Sequence, residues 1–143
     1  MIFSEEFIWR NDHYAYHLTE SKNIKLIQEK GLVPMIGKRS ISVNDNIKAI
    51  YFFDNIYSTE DWINELYKDK DPSNLELLRF NLKNRKWYIK DLETGEFYLT
   101  RIILPSKIEY LRLYDEENEK NFNLNNFSIK YIQEWNPINS YKK

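Results

Sequence analysis

At 143 residues the chain is sized for one domain, and a composition of 42% hydrophobic and 30% charged residues belongs to a chain that folds rather than one that stays disordered. The formal net charge of -1, from 21 Lys+Arg against 22 Asp+Glu, gives no bulk electrostatic hold on a polyanion. With no cysteine, a disulfide framework, thiolate metal sites and a cysteine nucleophile are excluded, and Gly31, Gly37 and Gly95 are too scattered for a phosphate-cradling loop or a dinucleotide fingerprint.

The first ten residues mix Glu5, Glu6 and Arg10 into a short apolar stretch, unlike a signal peptide, and no apolar run approaches membrane-spanning length. The expectation is a cytoplasmic protein with no membrane partner. Residues 14–19 (YAYHLT) alternate as a strand does, with Tyr14, Tyr16 and Leu18 on one face and His13, Ala15, His17 and Thr19 on the other. A helix follows: Ile24 and Ile27 repeat at helical spacing, Thr19 or Ser21 is placed to cap its first turn, Gly31 ends it and Pro34 prevents its continuation.

A polar loop with Gly37, Arg39 and Ser40 leads to Ala49–Phe53, a buried strand, and then to a second helix over 58–68, where Ser58 and Asp61 resemble a capping box. Strands dominate the remainder: 75–82, 87–90 and 97–103 about a turn at Glu93–Glu96, 107–114, and a last one over 127–135. The polar stretch 115–126 reads as a surface loop. Two early helices and a strand-rich second half predict an α+β fold of two packed, mainly antiparallel sheets in a single domain spanning 1–143.

The only histidines, His13 and His17, would share a face as metal ligands on a helix, but on a strand they stand about 13 Å apart, too far for one ion. No metal site is expected.

The run Tyr16-His17-Leu18-Thr19, a helix, Gly31-Leu32-Val33-Pro34, the loop Gly37-Lys38-Arg39-Ser40 and the strand Ala49-Ile50-Tyr51-Phe52-Phe53 together resemble the first half of the ADP-ribosyltransferase superfamily. They are similar in particular to small bacterial and phage members with a Tyr-His-x-Thr strand; diphtheria toxin, the poly(ADP-ribose) polymerases and RNA 2′-phosphotransferase belong to the same superfamily. The resemblance implies a toxin-like glycosyltransferase that uses NAD as a substrate and passes ADP-ribose to a protein or nucleic acid acceptor. Its His-Tyr-Glu pattern would be filled by His17, holding the nicotinamide ribose, Tyr51, stacking on the nicotinamide, and Glu96, engaging the ribose 2′-hydroxyl. Arg39 and Ser40 would lie by the cofactor, the arginine on a phosphate, and Thr19 would either reach the ribose or cap the helix.

Glu93 is a rival for the acid, three positions before Glu96. Tyr51 also reads as a core residue, Glu96 as turn chemistry and Arg39 as an exposed loop residue. Two other functions remain open: a scaffold that binds a partner protein or a nucleotide without turnover, and a nucleic-acid-binding domain in which Trp87 stacks among Lys83, Arg85, Lys86 and Lys90.

Overall fold

In the computed structural model, the described residues are 6–36, 48–59, 75–91, 93, 95–112, 122–123, 126–127 and 135–142. Among these residues ten strands run in chain order: β1 (Glu6–Ile8), β2 (Tyr14–Glu20), β3 (Ile50–Phe53), β4 (Leu75–Asn81), β5 (Lys86–Asp91), β6 (Glu96–Leu99), β7 (Ile108–Arg112), β8 (Phe122–Asn123), β9 (Asn126–Phe127) and β10 (Asn136–Pro137). The helix α1 (Ile24–Lys30) follows β2, and residues 56–59 are also helical. The fold is α+β.

The expected two packed sheets are replaced, among the described residues, by one eight-stranded sheet in the order β1-β5-β6-β3-β2-β4-β7-β10, with β8 and β9 as a separate pair. All named pairings are antiparallel. The sheet nonetheless has a seam. β2 lies along β4 in register from Tyr14↔Asn81 to Glu20↔Leu75, and β3 along β6 from Ile50↔Leu99 to Phe53↔Glu96, whereas β2 and β3 share only the pair Tyr16↔Phe53. Beyond that pair the two strands part.

One face of the sheet carries the core. Strand alternation sends Ala15, Leu78, Phe80, Ile50, Phe52, Phe97 and Leu99 to the same side, where Ile24 and Ile27 of α1 close over them. Phe52 sits amid Phe80, Trp87 and Phe97, with ring centroids 5.9, 6.1 and 6.1 Å away. On the opposite face the Arg79 guanidinium is held between the rings of Tyr14 and Trp135, 4.3 and 4.6 Å from their centroids, and its Nε donates to Glu109 at 2.9 Å.

The expected caps give way to side-chain bonds, one local and one between distant parts of the chain. Thr19 Oγ1 accepts from the Asn23 side chain at 3.3 Å, and the Ser21 hydroxyl donates to Glu76 at 3.2 Å. Glu76, 2% exposed, also accepts from Tyr141, while Gln28 of α1 donates to the carbonyls of Ile138 and Tyr141 at 2.9 and 3.0 Å. These bonds tie α1 to the C-terminal segment. At the helix over 56–59, Asn55 rather than Ser58 is the cap, its Oδ1 accepting the Ser58 N–H at 2.9 Å; the remainder of the expected 58–68 helix, with Asp61, lies outside the described residues.

Gly31 stops α1 with φ 82° and ψ -167°, a conformation nearly restricted to glycine, and a Cβ there would stand 2.0 Å from the Ile103 carbonyl oxygen. Gly95 also has a positive φ, 72°, but a Cβ there would meet only the movable Ser58 side chain at 3.1 Å. Gly31→Ala should therefore destabilise by more than the roughly 1–3 kcal/mol of backbone strain that Gly95→Ala also meets. Urea midpoints of the two variants check this, and equal losses would contradict it.

Candidate functional site

The parting of β2 from β3 opens a cleft of about 290 Å3, walled by α1, the chain from Gly31 to Met35, and the two strands. Its lining is mostly aliphatic, with Leu26, Ile27, Leu32, Val33, Met35, Ala49 and Ile50, and the polar contributions come from His17, Thr19, Asn23 and Tyr51. An apolar pocket with a few convergent polar groups is the usual form of a small-molecule site.

His17 reaches across the seam. Its Nδ1 lies 2.6 Å from the Tyr51 main-chain oxygen. A carbonyl only accepts, so Nδ1 carries the proton and Nε2 is left with its lone pair. Burial pushes the imidazole pKa below its usual 6.5, against the opposing effect of this hydrogen bond, so the neutral ring is favoured. His17 thus offers a hydrogen-bond acceptor on the cleft. Thr19 stands two positions on along the same strand face; because its oxygen accepts from Asn23, its hydroxyl proton is free to donate.

Tyr51 enters this arrangement through its backbone rather than its ring. Alternation along β3 puts Phe52 in the core and the Tyr51 ring on the other face, where its centroid is 6.0 Å from that of Tyr98 and the Lys90 ammonium lies 5.8 Å away. Glu96 shares that face. It opposes Phe53 in register and stands one diagonal step from Tyr51, roughly 7–8 Å in such a sheet. The half-buried Glu96 is not part of the cleft lining, and Glu93 is exposed in the turn before it. The structure therefore brings His17 and Thr19 together, joins His17 to the main chain of Tyr51, and puts the rings of His17 and Tyr51 on opposite faces. Arg39 and Ser40 lie outside the described residues.

His13 belongs elsewhere. Its ring stacks on Trp9 with centroids 4.4 Å apart. The basic cluster of the alternative nucleic-acid reading loses its stacking member, because Trp87 is 4% exposed and packed edge-on against Phe97 in the core; Lys86 pairs with Glu6 at 3.7 Å, and Arg85 donates to the Asn81 carbonyl. Sequence reasoning missed Asn23 as a cleft residue; the available signal was its place just before α1, four positions after Thr19, to whose hydroxyl it donates. Among the described residues no helix is long and apolar enough to cross a membrane.

No family model matches the chain, and no curated protein matches it. Among solved structures the chain is similar to EcPltA, with 13% identity and a TM-score of 0.49 over 77% of this chain and 81% of that chain.

The lowered pKa of His17 has a signed consequence for stability. Between that value and 6.5 the unfolded chain binds the proton and the folded chain does not, so stability is full above 6.5 and falls as pH drops through this window. His17→Asn keeps an N–H for the Tyr51 carbonyl but does not titrate. Urea unfolding at about pH 7.5 and about pH 5.5 should show a larger loss for the wild type than for this variant; parallel losses would contradict the assignment.

Proposed function

We propose that this protein is an NAD-using ADP-ribosyltransferase that modifies a macromolecular acceptor. The observation that carries the reading is a histidine at the seam of a split sheet that bonds the Tyr51 carbonyl through Nδ1 and lines an apolar cleft. The nicotinamide ring of NAD is flat and apolar at its faces, which suits aliphatic walls, and its ribose supplies hydroxyl donors for an acceptor such as Nε2. The sequence resemblance implies the same histidine, and the reading is supported by the seam that divides the single sheet between β1-β5-β6-β3 and β2-β4-β7-β10.

In this reading the glycosidic C–N bond of NAD breaks and its electron pair leaves with nicotinamide, while the acceptor's nucleophile bonds to the ribose carbon and gives up its proton. The intermediate charge is oxocarbenium-like. His17 orients the ribose through Nε2, and the Thr19 hydroxyl is placed to add a second contact. The resemblance assigns to Glu96 the carboxylate that would hold the 2′-hydroxyl more tightly in the transition state than in the ground state, from a strand position on the Tyr51-ring face, opposite His17. Arg39 and Ser40 would hold the phosphates.

A second reading, a scaffold that binds a nucleotide without turnover, is favoured by one observation: Glu96 does not line the cleft. Incubation with NAD separates the two. The transferase reading expects nicotinamide release that falls by about 10²–10³-fold in His17→Ala and in Glu96→Gln, as for removal of one transition-state hydrogen-bonding group, and is unchanged in Glu93→Gln. Saturable NAD binding without release would establish the scaffold instead, and neither binding nor release would overturn both.

A further inference from the structure

The lip of the cleft is apolar and exposed. The bridge Leu32↔Ile103 turns these two side chains into the core, and by alternation sends Val33, Ile102 and Leu104 outward together. Gly31, the residue before this bridge, lies so close to the backbone of Ile103 and Leu104 that a side chain would not fit, and the next bridge, Met35↔Ala49, carries the strip onward to Met35. Leu26 of α1 borders it across the cleft. All five side chains are between 44% and 65% exposed, which is unusual for aliphatic residues gathered on one surface of a soluble chain.

The strip has cations at both ends. Lys30 and Lys107 flank its Leu104 end, and Lys48, beside Ala49, flanks its Met35 end; all three are exposed, and none has an ion-pair partner among the described residues. Glu29 is the nearby acid on α1, and Lys22 is already matched by Glu20 at 3.2 Å. We propose that this strip docks an extended protein segment in which aliphatic side chains are flanked by acidic ones, delivering the segment to the mouth of the cleft. As an acceptor site the strip rests on the transferase reading; as a binding surface it does not.

Charge and side-chain type select this occupant. A second copy of the chain would set lysine ends against lysine ends in a two-fold contact. Single-stranded nucleic acid would use the lysines but needs aromatic platforms for its bases, and the strip has none. An acidic and aliphatic segment satisfies both features.

A peptide display library selected on the wild-type protein, with the Val33→Glu/Ile102→Glu variant as counter-selection, tests the proposal by binding alone. Enriched peptides should carry Leu, Ile or Val between Asp and Glu, bind about tenfold or more weakly to that variant and to Lys30→Glu/Lys107→Glu, and weaken with added salt. Circular dichroism confirms that the variants remain folded, and single Val33→Ser and Ile102→Ser changes serve if the double variant does not. No enrichment over the variant, enrichment of basic peptides, or displacement of the peptides by a single-stranded oligonucleotide would overturn it. Because NAD is absent from the assay, a failure here leaves the transferase reading intact, and a failure of NAD turnover leaves this surface intact.

Discussion

A sheet that parts between two of its strands exposes main-chain groups that a continuous ladder would have satisfied, and each such group needs a partner. Here the Tyr51 carbonyl at the seam is met by His17 Nδ1 at 2.6 Å. The rest of the site follows from that bond. A hydroxyl or an amide in place of the imidazole would satisfy the carbonyl, but only the imidazole turns a second, basic nitrogen toward the opposite side. Burial favours the unprotonated form of that nitrogen, so the group that holds the seam together is also one of the few polar groups lining the cleft.

The walls around this histidine are held by contacts remote from the chemistry. Gln28 fastens α1 to the carbonyls of Ile138 and Tyr141, and Tyr141 and Ser21 meet on the carboxylate of Glu76, two strands away from Tyr51. Gly31 lets the chain leave α1 against Ile103 without a side chain in the way. The same departure sets Leu32 in the core and Val33 on the surface, so one backbone path forms both the closed wall of the cleft and its open lip.

Much of this was legible in the sequence where local pattern and tertiary demand agree. The alternation of residues 14–19 set Ala15, His17 and Thr19 on one face, and the Ile24/Ile27 spacing with Gly31 marked α1. Legibility ended where partners are distant or pattern is uniform. Ser21 looks like a cap from local sequence, but its hydroxyl donates to the buried Glu76 of β4, 55 positions on. Every residue of Ile50–Phe53 is apolar or aromatic, so no polar alternation tells which ring faces the core, and the Tyr51 ring went to the face opposite His17. Trp87 lies between Lys86 and Tyr88 and looked like a surface platform; pairing of β5 with β1 and β6 made it a core residue. β1 itself is three residues long and too short to carry a period.

The most direct test of the central claim is an NMR titration of the protein, with ¹⁵N-labelled histidine, by NAD. The account predicts that His17 starts as the neutral Nδ1–H tautomer and that its Nε2 resonance shifts saturably as NAD is added while Nδ1 keeps its proton. His13, stacked on Trp9, should stay unmoved as an internal control. An Nε2–H tautomer at the outset, or a His17 resonance as indifferent to NAD as that of His13, would contradict it.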